Sequence, residues 1–216
     1  MGKRHMKQSV KYKYFILLGL FCLMTALPLP APATEMAEVI DELISEAERN
    51  PTDAKARKQA GMAYLFLARQ MEDNPARIVF GTMADFHLDV AAHLNPYDDA
   101  TLESLAETSI LLMAPHKAAT VYETLVARQT DPAEGRYLVP LHTCYQWLRD
   151  PWRGIDFYQE QLERMPEWPQ MRFLLAMLLL ELDRSEALDI IADLYESPST
   201  PQALKATIRA AVKGGL

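Results

Sequence analysis

Proline-containing breaks recur along the chain at nearly even intervals, and they constrain its fold more than any other feature. They fall at Asn50-Pro51, Asn95-Pro96, Asp131-Pro132, Met165-Pro166 and Ser197-Pro198. The prolines of successive breaks are 45, 36, 34 and 32 residues apart. Because a period in the thirties is typical of short structural units that stack on one another, the spacing predicts a solenoid of repeats.

The residues between these breaks favour helix. Ala, Leu, Glu and Met have high helix propensity and are abundant there, whereas the chain of 216 residues has only 8 Gly. Half of the residues are hydrophobic and 24% are charged, which is ordinary for a folded protein. We therefore expect an all-α protein in which each repeat is a pair of helices.

The first 33 residues have the layout of a secretory signal peptide. Five basic residues precede an apolar run at 14–27, which is shorter than the roughly 18 residues of a comfortable membrane span and is ended by Pro28. Ala31-Pro32-Ala33 fits a signal-peptidase site, so the mature chain is predicted to begin at Thr34. This predicts a periplasmic protein. The alternative is an uncleaved segment 14–27 that anchors the chain in the membrane.

The charge of the predicted mature chain argues against nucleic-acid binding. Without residues 1–33, 17 basic side chains remain against 29 acidic ones, a net of −12, which phosphate backbones would repel. That part also holds a single cysteine, Cys144, so the fold does not depend on an internal disulfide. Cys144 is either a small apolar residue of a helix or a thiol that is reactive or pairs between molecules.

The clearest repeat pattern lies in the first unit and reads Arg57-x-x-Ala60-Gly61-x-x-Tyr64, then Ala84-x-x-x-Leu88-x-x-Ala91, then Pro96. Small residues such as Gly61 and Ala84 allow two antiparallel helices to approach closely, while Tyr64 and Leu88 fill the space between them. The pattern resembles the tetratricopeptide repeat (TPR), whose signature is W-x-x-L-G-x-x-Y, A-x-x-x-F and P.

Later units keep this frame in a weaker form, with packing positions at Ala118, Tyr122, Gly154, Tyr158 and Ala187. The resemblance to an exported bacterial TPR protein covers residues 36–213 and implies a right-handed superhelical solenoid of antiparallel helix pairs. The predicted organisation is a signal peptide (1–33), a capping helix (34–50), repeats within 51–201 (51–95, 96–131, 132–165 and 166–198) and a second capping helix (202–216). The first unit is about eleven residues longer than the usual repeat, and we expect the surplus to lengthen both of its helices.

In proteins of the TPR family the first helix of each unit lines a concave groove. The resemblance implies that the groove-lining residues are Lys58, Met62, Leu65, Phe66, Glu103, Glu107, Ile110, Tyr137, Leu141, Tyr145, Phe173, Met177 and Leu180. An aromatic and Met-rich groove suits an apolar or helical peptide. The alternative is that several of these residues are core between adjacent helices.

No catalytic, metal or cofactor site is predicted. His87 and His93 lack a Cys or Glu partner at the spacing of a helical metal pair, and no P-loop, G-x-S-x-G, H-E-x-x-H or dinucleotide fingerprint occurs. Three tryptophans, Trp147, Trp152 and Trp168, lie around the turn and exit of the third unit, where they either pack or form an exposed patch.

The sequence thus predicts a non-enzymatic scaffold that binds a protein or peptide in its groove. One alternative is an obligate subunit of an envelope assembly complex, of the cytochrome-maturation or polysaccharide-export type. An enzyme is the reading with the least support. The partner and the oligomeric state are left open by the sequence.

Overall fold

The computed structural model describes residues 31–72, 74–131, 135–182 and 185–214. The predicted apolar segment 14–27 lies outside them. The described chain is helical and contains α1 (Ala31–Arg49), α2 (Ala54–Gln70), α3 (Asn74–Leu94), α4 (Asp99–Leu111), α5 (Pro115–Arg128), a 3₁₀ turn (Gly135–Tyr137), α6 (Leu138–Leu148), α7 (Pro151–Arg164), α8 (Pro169–Glu181), α9 (Glu186–Glu196) and α10 (Gln202–Lys213). None of these ten helices is both long enough and apolar enough to cross a bilayer.

The chain divides into two compact units, residues 1–42 and 43–216. The described part of the first unit is the beginning of α1, where Met36 and Val39 are exposed and Ile40 is buried. The second unit contains the end of α1 and all the other helices. Its helices form the successive pairs α2–α3, α4–α5, α6–α7 and α8–α9, and the second helix of each of the first three pairs packs on the first helix of the next pair. The all-α solenoid of helix pairs predicted from the sequence is therefore confirmed.

Aspartates and prolines set where these helices begin. Asp53, Asp98 and Asp150 precede α2, α4 and α7, and each carboxylate accepts a hydrogen bond from backbone N–H groups of the first turn. Prolines open α5, α7 and α8. Proline is tolerated there because a first-turn N–H has no partner within the helix. The prolines of four sequence breaks have a different place: Pro51, Pro96, Pro166 and Pro198 each lie two residues after the last residue of a helix, so these breaks mark helix ends.

The first pair is longer than the others, as the sequence predicted. Helices α2 and α3 have 17 and 21 residues, whereas the helices of the later pairs have 11 to 14. Gly81 lies against the end of α4, since a Cβ added there would be 2.8 Å from Leu111 Cδ2 and 2.9 Å from Leu112 Cδ2. The part of α3 before Gly81 therefore extends beyond α4, and it exposes Ile78 and Val79.

The residues predicted to pack the repeats are all buried: Gly61, Tyr64, Ala84, Leu88, Ala91, Ala118, Tyr122, Gly154, Tyr158 and Ala187. Gly61 brings α2 close to α3, because a Cβ at that position would be 2.6 Å from Leu88 Cγ. Gly154 does the same later in the chain, where α7 meets Tyr145 of α6 and Leu178 of α8. A continuous apolar core runs through the second unit from Tyr64 to Ile208.

Candidate protein-binding surface

A line of polar contacts joins the first helices of successive pairs and marks a surface that they share. Lys58 Nζ lies 2.8 Å from Asp98 Oδ2, at the start of α4, and Arg69 of α2 pairs with Glu107 of α4. Further along the chain, Arg136 Nη2 lies 2.7 Å from Glu103 Oε2, and Gln146 Nε2 donates to Glu181 Oε1 at 3.3 Å. We call the solvent-facing side chains of α2, α4, α6 and α8, with Arg136, the first-helix face.

Large apolar side chains lie exposed among these polar contacts. Met62 and Phe66 of α2 keep 46% and 40% of their surface in contact with solvent, and Val139 of α6 keeps 65%. Met62 and Phe66 are four residues apart, so they are neighbours on one side of the helix. Met62 is also seven residues before Arg69, which places both on the same side of α2. The first-helix face therefore combines paired charges with exposed apolar groups.

Six of the predicted groove residues lie on this face and are exposed or partly exposed: Lys58, Met62, Phe66, Glu103, Glu107 and Met177. Four others are buried in the core instead: Tyr137, Leu141, Tyr145 and Phe173. Leu65 is also buried, whereas Ile110 and Leu180 are partly exposed. A partner at the surface cannot reach the buried four while the helices remain packed.

The orientation of α6 about its own axis explains why most of these four predicted groove residues are buried. The exposed side chains of α6 are those of Val139, Thr143, Gln146 and Trp147, and the first three follow the exposed Arg136 at helical spacing. Tyr145 points inward and fills the space against Gly154. A repeated spacing in the sequence indicates that Tyr145 belongs to the core. Ser109 is nine residues before Ala118, Tyr145 is nine before Gly154, and Leu178 is nine before Ala187. All six residues are buried, so the repeated interval identifies Tyr145 as core.

The charged groups of the first-helix face largely neutralise one another. The hydrogen bond from Lys58 is the main cause that holds the pKa of Asp98 below its usual value, and Thr101 Oγ1 donates to the same carboxylate at 2.7 Å. The hydrogen bond to Glu107 likewise raises the pKa of Arg69. Because these charges already have partners within the chain, the apolar Met62 and Phe66 are the groups on α2 that remain for a ligand to cover.

Ion pairs also join the second helices of successive pairs. Lys117 Nζ of α5 lies 2.7 Å from Asp85 Oδ1 and 3.0 Å from Asp89 Oδ1 of α3. Arg153 Nε of α7 lies 2.8 Å from Glu123 Oε1 of α5. In both contacts a basic residue of one second helix meets acidic residues of the second helix before it. These contacts hold neighbouring pairs in register, so their role is structural.

His87, His142 and Cys144 are buried among the helices. Burial, with a further contribution from the charge of Arg57, lowers the pKa of His87 to about 4, and burial also lowers the pKa of His142. Burial raises the pKa of the Cys144 thiol to about 11, so at neutral pH it is a protonated thiol within the core. Within the described residues no group of three or more His, Cys, Asp or Glu side chains could hold a metal ion.

The tryptophans separate into core and surface. Trp168 is fully buried at the start of α8, whereas Trp147 and Trp152 are exposed on either side of the turn between α6 and α7. The turn itself is made by Arg149 in the left-handed conformation, with φ of 53°, followed by Asp150. One of the three tryptophans thus packs the fold, and two are exposed on either side of one turn.

No protein-family model matches the chain, and no curated protein is significantly similar to it. Among solved structures, the chain is similar to a thermophilic TPR protein of Thermus thermophilus. The two share 20% sequence identity over 69% of this chain and 75% of that protein, with a TM-score of 0.44.

Proposed function

We propose that the protein is a non-enzymatic interaction scaffold that binds an apolar or helical peptide segment of another protein on its first-helix face. The observation that supports this most directly is the pair Met62 and Phe66. Both are large and apolar, both are exposed by 40% or more, and they lie side by side on α2. An exposed apolar pair within a polar surface is the kind of anchor that recognises the apolar side of a helix.

The neighbouring charges favour an apolar ligand over a charged one. Lys58 and Arg69 flank the apolar pair along α2, but they are engaged by Asp98 and Glu107. A charged ligand would have to displace these partners, and the exchange of one ion pair for another yields little free energy. Burial of Met62 and Phe66 removes apolar surface from water without disturbing either ion pair. Apolar burial is worth roughly 25 cal/mol for each Å².

Partner recovery from the envelope fraction tests this proposal. We expect the double substitution Met62→Ser with Phe66→Ser to reduce recovery of the partner ~10-fold or more, with helicity and melting temperature unchanged because both side chains are exposed. The matched control is Ile78→Ser with Val79→Ser, which removes two exposed apolar side chains of α3 outside the first-helix face. Recovery that survives the first double substitution but not the second would assign binding to α3 instead.

We also propose that the chain is exported to the periplasm, on the strength of the signal-peptide layout of residues 1–33. N-terminal sequencing of the protein from fractionated cells tests this. A soluble periplasmic form that begins at Thr34 is the expected result. A membrane-bound form that retains residues 14–27 would support the anchored alternative, and a cytoplasmic form with an intact N-terminus would contradict both.

Membership of an envelope assembly complex remains the alternative role for the same surface. In that case the partner would be permanent, and the protein would migrate in a large complex on native sizing of envelope extracts. A reversible peptide partner predicts a small species that binds its ligand only when the ligand is present. The Met62 and Phe66 substitutions would dissociate either assembly, so sizing of the wild-type extract decides between the two roles.

A further inference from the structure

The last two helices, α9 and α10, enclose an apolar groove of about 690 Å³. Ile191 and Ile208 form its floor, and Leu188, Tyr195 and Val212 form its walls. Leu188 and Val212 are 56% and 54% exposed, which is high for aliphatic side chains on facing sides of one groove. Exposed apolar surface of this kind is typical of interaction sites.

The two helices carry opposite charges. All four charged residues of α9 are acidic: Glu186, Asp189, Asp193 and Glu196. All three charged residues of α10 are basic: Lys205, Arg209 and Lys213. Glu196 lines the groove on one side, while Arg209 and Lys213 line it on the other. The groove is therefore an apolar channel with one acidic rim and one basic rim.

Contacts within the chain hold the two rims in place. The guanidinium of Arg209 lies 5.8 Å from the ring centre of Tyr195, and its Nη2 donates to the Tyr195 hydroxyl at 3.0 Å. At the other side of α9, Arg172 Nη2 of α8 lies 3.8 Å from Asp193 Oδ2. Glu196 and Lys213, at the ends of their helices, are both exposed. These two residues are placed to meet charges from outside the chain.

We propose that a second copy of this chain occupies the groove, with the two copies related by a two-fold axis and α9 of each lying against α10 of the other. A two-fold axis that brings α9 opposite the partner's α10 also brings α10 opposite the partner's α9. The acidic rim then meets a basic rim twice, and Leu188 and Val212 are covered in both copies. The alternative symmetric contact, α9 against α9, sets acidic residues against acidic residues and is disfavoured.

The chain already uses the same chemistry between its own helices. Lys117 of α5 meets Asp85 and Asp89 of α3, and Arg153 of α7 meets Glu123 of α5. In the proposed dimer the basic side chains of α10 meet the acidic side chains of α9 in the same way, but between two molecules. The dimer is independent of the first-helix face. It would present two such faces at once, which strengthens binding to a multivalent partner.

Sedimentation equilibrium of the purified protein over a wide range of concentrations tests the dimer. The wild type is expected to give a dimer mass at high concentration. We expect Leu188→Glu to weaken dimerisation ~100-fold or more, because an ionised carboxylate would replace an apolar side chain that is covered in both copies. The matched control is Val139→Glu, which introduces the same charge at an exposed apolar residue of α6 and should leave the dimer intact.

A charge exchange tests the arrangement of the helices. Glu196→Lys and Lys213→Glu should each weaken the dimer, and the double variant should restore it, because the acidic and basic rims then exchange places across the two-fold axis. Failure of the double variant to recover would contradict the contact of α9 with α10. A wild type that stays monomeric at all concentrations would overturn the proposal. A monomer that loses a different, co-purifying protein when Leu188→Glu is introduced would overturn it in favour of another occupant.

Discussion

Tyr145 packs directly against Gly154, so closely that a Cβ added to the glycine would lie 2.6 Å from Tyr145 Cδ2. The same Cβ would lie 2.4 Å from Leu178 Cδ1. Tyr145 and Leu178 are fully buried and belong to α6 and α8, while Gly154 belongs to α7. Three helices from two adjacent pairs therefore meet at one position that has no room for a side chain.

The substitution Gly154→Ala is expected to destabilise the protein. Alanine is better than glycine in a helix interior by about 1 kcal/mol, but overpacking a rigid core typically costs about 1–3 kcal/mol. Because Tyr145 and Leu178 are both fully buried and can move only by displacing other core atoms, we expect the packing cost to be the larger of the two. Urea unfolding measures the difference. Gly135→Ala is the control, since its Cβ would make only ordinary van der Waals contacts, 3.5 Å from Leu138 Cδ1 and 4.0 Å from Gln170 Cγ. Equal effects of the two substitutions would contradict this account.

The fold could be predicted from the sequence because its signals are local. A proline just after a helix and a capping aspartate just before one act on the local backbone, so the breaks located the helix pairs without knowledge of their packing. The 45-residue interval between Pro51 and Pro96 predicted the lengthened α2 and α3 for the same reason.

The rotation of each helix about its axis was harder to predict. On α2 the inward side consists of small residues with Tyr64 and Leu65. The large apolar Met62 and Phe66 were correctly assigned to the surface, whereas Leu65, predicted to line the groove, is buried. Helix α6 has apolar residues on nearly every side, including the exposed Val139 and Trp147, so its periodicity does not define an inward face. Its orientation depends on contacts with α7 and α8, through Gly154, and these are set by the tertiary structure.

Glu123 is expected to matter more for stability than Glu103 of the first-helix face. It accepts hydrogen bonds from Tyr145 Oη at 3.0 Å and from Arg153 Nε at 2.8 Å. The side chains of Arg153 and Glu123 are only 28% and 20% exposed. Removal of the carboxylate in Glu123→Ala leaves the buried Tyr145 hydroxyl without its acceptor and leaves the guanidinium of Arg153 with only its hydrogen bond to Thr120 Oγ1. We expect a loss of about 1–3 kcal/mol in the free energy of unfolding.

Glu103→Ala provides the comparison for Glu123. Glu103 pairs with Arg136 at a similar distance, 2.7 Å, but the side chain of Arg136 is 60% exposed and that of Glu103 is 46% exposed. Water replaces an exposed partner at little cost, so we expect a change below about 1 kcal/mol. Thermal and urea unfolding of both variants measure the contrast. A loss for Glu103→Ala as large as that for Glu123→Ala would show that burial does not determine the contribution of these pairs.

Two turns between paired helices contain a residue in the left-handed conformation, Met113 with φ of 58° and Arg149 with φ of 53°. This conformation costs roughly 1–2 kcal/mol for a residue with a Cβ, whereas glycine adopts it freely. After the larger backbone entropy of unfolded glycine is subtracted, we expect Met113→Gly and Arg149→Gly each to stabilise the protein by about 0.5–1 kcal/mol. Met113→Ala retains the Cβ and should give no gain. An equal gain from Ala and Gly at this position would contradict the explanation by backbone strain.

His87 makes the stability of the protein sensitive to mildly acidic pH. Its ring is buried beside Tyr64, and its Nδ1 accepts a hydrogen bond from Arg57 Nη1 at 3.3 Å. Burial and the charge of Arg57 lower its pKa from 6.5 to about 4 in the folded state. As the pH falls below 6.5, His87 becomes protonated in the unfolded chain but stays neutral in the folded chain. The contribution of neutral His87 is thus complete above pH 6.5 and is lost between 6.5 and about 4, a loss of roughly 3 kcal/mol.

Urea unfolding of the wild type and of His87→Gln, at a series of pH values across this window, measures that loss. Glutamine can still accept the hydrogen bond from Arg57 but does not titrate, so the variant should lose roughly 3 kcal/mol less than the wild type as the pH falls from neutral to 4. His93→Gln, at an exposed histidine of the same helix, should follow the wild type. The wild type and His87→Gln contain the same carboxylates, so the difference between their stabilities across this pH range is due to His87. Parallel curves for wild type and His87→Gln would mean that the buried ring does not set the acid sensitivity.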